Sequence, residues 1–240
     1  MVYFQLTTGR ILTVYVAQGL ILVIFLYLAI KILLRDRKRL NAIFAGLYIA
    51  PAIGTLINFI YAPLTDVSVV LLLNYFTNVG AIYAPIFVVV FDLILLKSEK
   101  IISTSKQLAI LIVYGIVVLC MGIFLLIPGF GVTIGPPNWS PVWSIPIFLY
   151  VVVILTCFAT IPALYFSIKI YQKFEDEILK KRWRFFIFGF IAFMTFMYLI
   201  FISNTLANAT FRLILAGIGI VLTIIGGFLM YYGVGRQIAK

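Results

Sequence analysis

The chain has 240 residues, of which 65% are apolar and 10% charged, with a formal net charge of +11. A water-soluble domain is roughly a quarter charged, so this composition leaves too little polar surface for a soluble globule and suits a chain whose solvent is lipid. The basic residues argue against a nucleic-acid binder by their placement: they sit in short clusters between long apolar runs, with no basic motif or folded basic face.

In lipid every backbone polar group must be paired internally, so spanning elements are helices or closed barrels. The apolar runs here are long and unbroken, which points to helices of about 20 residues. Seven runs qualify: Ile11–Leu34, Leu40–Tyr61, Val69–Leu96, Gln107–Ile127, Ile145–Ile168, Phe185–Ser203 and Leu213–Gly235. The expected fold is an all-α integral membrane protein, one seven-helix transmembrane domain over residues 1–240.

The first run is too long for the apolar part of a signal peptide and no small-residue cleavage site follows, so it reads as a retained span. The second repeats Ala42, Gly46, Ala50 and Gly54 every fourth residue, a face that lets another helix approach closely. The third run carries the most informative pattern. Asn74, Asn78, Ala81, Pro85 and Asp92 lie within a stripe about 60° wide at ~100° per residue. Lipid-facing amides and acids are costly, so the stripe should face the interior. Two readings stand for Asn74 and Asn78: a polar ligand pocket, or interhelical hydrogen bonds that hold the bundle together. The run is about 42 Å long if straight at ~1.5 Å per residue, which implies a tilted, central helix.

Asp92 is the only acid inside a run. It reads either as a proton site, ion ligand or switch, or as a structural ion pair with a snorkelling base such as Lys31 or Lys169. Between the fourth and fifth runs lies an uncharged segment rich in Gly, Pro and Trp. Its Trp139 and Trp143 suit a membrane interface or a lid over an outward pocket. The stretch Lys173–Arg184, with Lys180, Lys181, Arg182 and Arg184, suits a partner protein, anionic lipid, or nothing beyond solvent. The seventh run repeats Arg212, Ala216, Gly219, Thr223, Gly226, Met230 and Gly233, a close-packing stripe. Its leading Arg212 either takes an anionic ligand or lipid phosphate, or anchors the helix end. Pro51, Pro85 and Pro162 should kink their helices.

All basic residues except Arg10 and Arg212 fall in the last turn of, or after, the first, third, fifth and seventh runs. The positive-inside rule then places those loops and the C-terminus in the cytoplasm and the N-terminus outside, in a multi-pass cell-membrane protein. The sequons Asn138-Trp139-Ser140 and Asn208-Ala209-Thr210 fall in the outer loops of that arrangement.

Histidine is absent and the two cysteines, Cys120 and Cys157, show no metal spacing, so no metal or cofactor is expected. A retinal protein needs a lysine in the last span, a rhomboid-type protease a Ser–His pair, and an aspartyl protease two buried acids; none of these sets is present. No enzyme activity is expected.

Lys180-Lys181-Arg182-Trp183-Arg184-Phe185-Phe186-Ile187-Phe188-Gly189-Phe190 entering the sixth run, and Tyr231-Tyr232-Gly233-Val234-Gly235-Arg236 leaving the seventh, resemble the seven-helix sensor regions of prokaryotic histidine kinases. The resemblance implies a receptor-like bundle. Such regions feed a cytoplasmic output domain, and none follows within these 240 residues, so it implies a separate cytoplasmic partner. The leading expectation is a receptor-like protein sensing a small molecule or lipid; a homodimer is compatible. A small transporter or channel with three-plus-one-plus-three helices is the alternative, hinted at by Ile30-Lys31-Ile32 and Ile168-Lys169-Ile170. A non-catalytic subunit of a membrane complex is the third.

Overall fold

The computed structural model describes residues 8–35, 38–98, 100–135 and 139–235. Among them are seven helices long and apolar enough to cross a membrane: α1 (Thr8–Arg35), α2 (Arg39–Tyr61), α3 (Val67–Lys97), α4 (Thr104–Leu126), α5 (Ile145–Lys173), α6 (Glu177–Leu206) and α7 (Ala209–Val234). Short connections make sequence neighbours antiparallel. Helix α1 packs on α2 and α7, α3 on α2, α4 and α5, and α6 on α5 and α7, which closes the bundle. The architecture is that of an all-α bundle, consistent with a multi-pass membrane protein. Its outer surface agrees, because Val23, Val113, Phe188 and many other large apolar side chains are exposed. Such a surface is prone to aggregate in water and suits a lipid surrounding.

The helices outrun the apolar runs at their polar ends. Helix α6 begins at Glu177, so Lys180, Lys181, Arg182 and Arg184 lie in its first turns. Asp176 caps that start, its carboxylate accepting the Ile178 N–H at 2.7 Å. A two-stranded antiparallel hairpin, β1 (Val132–Thr133) and β2 (Val142–Trp143), lies between α4 and α5. Its end of the bundle is termed the hairpin end, and the opposite one, with the lysine- and arginine-rich connections, the basic end.

Proline leaves its mark on three helices. Helix α3 is interrupted between Tyr83 and Ile86, at Ala84 and Pro85. Pro51 sits inside α2, where the Thr55 hydroxyl donates to the Pro51 carbonyl at 2.9 Å. Ahead of Pro162, α5 widens into a π-helical stretch, Leu155–Thr160, and the Thr160 hydroxyl donates to the Leu155 carbonyl at 3.0 Å. A second π-helical stretch, Ile11–Ala17, lies in α1 without any proline.

Two kinds of contact hold the bundle. Helices α2 and α3 touch backbone to backbone: a Cβ on Gly54 would lie 2.6 Å from the Thr77 carbonyl oxygen, and one on Gly80 2.7 Å from that of Ala50. Helix α4 is held by tyrosines instead. Tyr75 and Tyr83 of α3 donate to the Leu119 and Leu111 carbonyls at 2.8 and 3.0 Å. Tyr114 of α4 donates back to Ile82 at 3.0 Å, and Tyr150 of α5 donates to Val117 at 2.6 Å. A helical carbonyl keeps a second lone pair free, so these bonds add to the helical ones without breaking them. Tyr114→Phe removes one such bond and no volume. It should lower stability by about 0.6–1 kcal/mol in an unfolding titration.

Helix α3 is the most buried of the seven: 56% of its apolar window is buried, against 22% for α4. The long polar-striped run is therefore the central helix of the bundle.

Candidate functional site

A cavity of about 580 Å³ lies between α1, α2, α3, α6 and α7 in the hairpin half of the bundle. Helix position gives its depth. From Gly9 to Phe25 its lining on α1 spans about 24 Å at ~1.5 Å per residue, so the cavity is elongated along the bundle axis. The mouth is charged, with Arg10 from α1 and Arg212 from α7. One wall is polar, with Asn58, Tyr61, Asn74 and Asn78, while the deep end has Ile21, Phe25 and Phe193. The π-helical stretch of α1 supplies Thr13, Val14 and Ala17. Widened turns of this kind re-aim side chains and are frequent at functional sites.

The polar wall is an ordered network. The Asn78 amide donates to the Asn74 side-chain oxygen at 3.1 Å and to its carbonyl at 2.7 Å. The Asn74 amide donates to the Tyr61 hydroxyl at 2.8 Å. The Asn58 amide donates to the side chain of Gln18 across α1 and α2. Both residues line the cavity, and Asn74 also ties α3 to α2 through Tyr61, while Asn78 bonds to Asn74 within α3. Deeper in, the Thr223 hydroxyl is buried with no hydrogen-bond partner among the described residues.

Arg212 is held by neutral groups alone. Its Nη2 donates to the Pro141 carbonyl at 2.5 Å and to Asn204 at 3.4 Å, and its Nε donates to Ser203 at 3.4 Å. Its Nη1 makes no hydrogen bond among the described residues. Arg10, although only 8% exposed, lines the same mouth. No Asp or Glu is among the described lining residues. Asp66, the one acid placed by sequence at this end, caps α3 by accepting the Val69 N–H at 3.1 Å.

The tryptophans fall elsewhere. The hairpin lends the cavity Ser140 and Pro141, while neither Trp139 nor Trp143 lines it. Strand alternation turns Trp143 inward, where it is buried and stacked on Phe201 at 5.1 Å between centroids. Trp143 is thus a core residue, not an interfacial one. Trp139 is half-buried at a positive φ of 49° and packs against the core. Of the two sequons, Asn138 lies outside the described residues, and Asn208 caps α7 by accepting the Phe211 N–H at 2.9 Å.

Asp92 also departs from the expected ion pair. It is fully buried in the basic half, far along α3 from the cavity, and accepts the Ser167 hydroxyl of α5 at 2.5 Å. Its second oxygen has no hydrogen-bond partner among the described residues. Lys31 and Lys169 lie instead over the rings of Tyr27 and Tyr165 on their own helices. The register explains this: burial on α3 points Asp92 at α5, while both lysines point outward. The Ser167 carbonyl accepts the indole N–H of Trp183 at 2.8 Å, so Asp92 joins α3 to α5 and, through Trp183, to α6. Of the basic residues in the first turns of α6, Lys180 pairs with Glu177 at 2.9 Å, Lys181 and Arg184 are exposed, and Arg182 is half-buried.

Sequence reading picked Asn74, Asn78 and Arg212 for this region and passed over Arg10, Tyr61, Asn58, Gln18 and Thr223. A signal existed for Arg10, which with Arg212 is one of two basic residues at the hairpin end. Thr223 was legible only as a member of a small-residue stripe. Among the described residues, no three of His, Cys, Asp and Glu come together to hold a metal ion. No protein family, curated protein or solved structure matches this chain.

Proposed function

We propose that the protein is a non-enzymatic, receptor-like membrane protein that takes a small molecule or lipid into the hairpin-end cavity and signals to a separate cytoplasmic protein. The single observation that carries this reading is the cavity: one elongated pocket with convergent polar groups, closed toward the basic end by packed aromatics such as Phe44, Phe91 and Phe186. Pockets of roughly 300–1,000 Å³ are the size of small-molecule sites. Helix α6 supports a route for the signal. It lines the cavity with Phe193 and Phe196 and carries Lys180–Arg184 at its other end. A ligand that binds one position of α6 better than another shifts that end by linkage. The charge partition supports an N-terminus outside and the basic end in the cytoplasm. The resemblance to histidine-kinase sensor regions supports the same reading.

The test uses two single-cysteine variants, Thr133→Cys and Lys181→Cys, in a background with Cys120→Ala and Cys157→Ala. An impermeant maleimide added to intact cells should label Thr133→Cys and spare Lys181→Cys; the reverse pattern overturns the orientation. An environment-sensitive fluorophore on Lys181→Cys should change its emission when the cavity is filled from a panel of single-chain amphiphiles, anionic, neutral and cationic. Saturating occupancy without any change at position 181 overturns the receptor reading.

A further inference from the structure

The mouth of the cavity brings together two guanidinium groups from opposite ends of the sequence, and no Asp or Glu is among the described residues that line it. Arg10 and Arg212 both line this space, so their like charges face the same cavity. Placing two like charges in a partly desolvated mouth costs free energy, and the carbonyl partners of Arg212 offset its share only in part. An anion offsets it directly, and a guanidinium gives it charge-assisted hydrogen bonds. Arg212 has donors left for it, since Nε and Nη2 are engaged and the two N–H groups of Nη1 make no hydrogen bond among the described residues. Deeper along the axis the lining includes Ile21, Phe25 and Phe193, which offer an anion nothing and suit a hydrocarbon chain, with the Thr223 hydroxyl also in that part of the wall. At roughly 30 Å³ per water-sized group, the volume accommodates about 20 non-hydrogen atoms.

Resting on the receptor reading above, we infer that the ligand is a single-chain anionic amphiphile, with its carboxylate or phosphate monoester head between Arg10 and Arg212 and its chain directed along α1 toward Phe25 and Phe193. The head and the chain are both required. The polar wall of Asn74, Asn78 and Tyr61 then lies beside the first part of the chain, where it can bond to oxygens near the head.

Calorimetric titration of the protein in phosphatidylcholine nanodiscs, with empty nanodiscs as reference, tests this. The probes are octyl phosphate, octanoate, octanol, octylamine and inorganic phosphate. Octyl phosphate and octanoate should bind, and octanol and inorganic phosphate should each bind roughly tenfold more weakly or worse, the weight of one charge-assisted hydrogen bond. Octylamine should not bind. Arg212→Gln should reduce octyl phosphate affinity to the level of octanol, Arg212→Lys should restore part of it, and Lys106→Gln at the basic end should leave it unchanged. Arg10→Gln gives an independent second variant should Arg212→Gln fail to fold. Octanol or octylamine binding as tightly as octyl phosphate overturns the anionic head, and inorganic phosphate doing so overturns the chain. Either result leaves a cavity receptor standing with a different ligand. Binding of no probe at all overturns this inference, while the receptor reading stands or falls on the emission change at Lys181→Cys.

Discussion

Gly189→Ala should destabilise the protein by about 1–3 kcal/mol, the range for overpacking a tight contact, even though alanine is the better helix former. At this position α6 and α7 meet backbone to backbone. A Cβ on Gly189 would lie 2.6 Å from the Gly226 carbonyl oxygen and 2.8 Å from the Met230 amide nitrogen, and one on Gly226 would lie 2.8 Å from the Gly189 oxygen. Neither neighbour is a flexible side-chain tip, so relief requires a whole helix to move. The helices are also joined by a tight turn, with Ala207 left-handed at φ 54°, which limits how far they can part. Gly189→Leu should go further and cost the protein its monodisperse peak in gel filtration. Gly217→Ala is the matched control, because a Cβ there meets nothing within 4 Å. It should be neutral or stabilise by up to about 1 kcal/mol. Thermal unfolding in a mild detergent reads all three, and a Gly189→Ala protein as stable as the parent would remove this crossing from the account of the fold.

Trp183→Ala should be the most damaging single truncation at the basic end, at about 3–5 kcal/mol. The indole is 1% exposed, stands 4.7 Å from the Phe186 ring and 5.8 Å from that of Phe174, and donates to the Ser167 carbonyl. Its loss leaves a cavity among rings that cannot collapse, since Phe186 is itself fixed by Phe44 and Phe91. Asp92→Asn should behave differently. The amide oxygen still accepts the Ser167 hydroxyl and the volume is kept, so stability should change by less than about 1 kcal/mol. The two results together separate roles. A small effect of Asp92→Asn on unfolding, with a large effect on the emission change at Lys181→Cys, would make Asp92 part of the switch between cavity and basic end. An equal fall in stability for both variants would make the cluster a structural staple. Trp183 matters to either outcome because it sits among Lys180–Arg184, so that its hydrogen bond ties the proposed partner surface to Ser167 of α5 and, through Ser167, to Asp92 of α3.

The small-residue stripe of α7 shows how far sequence reading reached. Its spacing correctly marks one helical face, yet that face does two things. Gly226 and Gly233 press against α6 in the basic half, while Arg212, Ala216 and Thr223 line the cavity in the hairpin half. The spacing is identical along the helix. What differs is whether α6 meets that face with its backbone, as at Gly189, or with a side chain, as the Phe196 ring does at Gly219, and residues far off in sequence decide that.

By itself the sequence determined seven helical runs, their alternation, the segregation of basic residues to one end, and the burial of the Asn74–Asp92 stripe. These follow from local free energies: each apolar run, amide or charge has a preferred solvent regardless of its neighbours in space. Only the tertiary structure decided that Asp92 meets Ser167 rather than a lysine, that Trp143 turns into the core, and that Arg10 and Arg212 share one mouth. Those outcomes depend on the rotation of each helix about its axis and on its depth relative to its partners. Periodicity leaves such rigid-body variables open, and packing between residues far apart in the chain closes them.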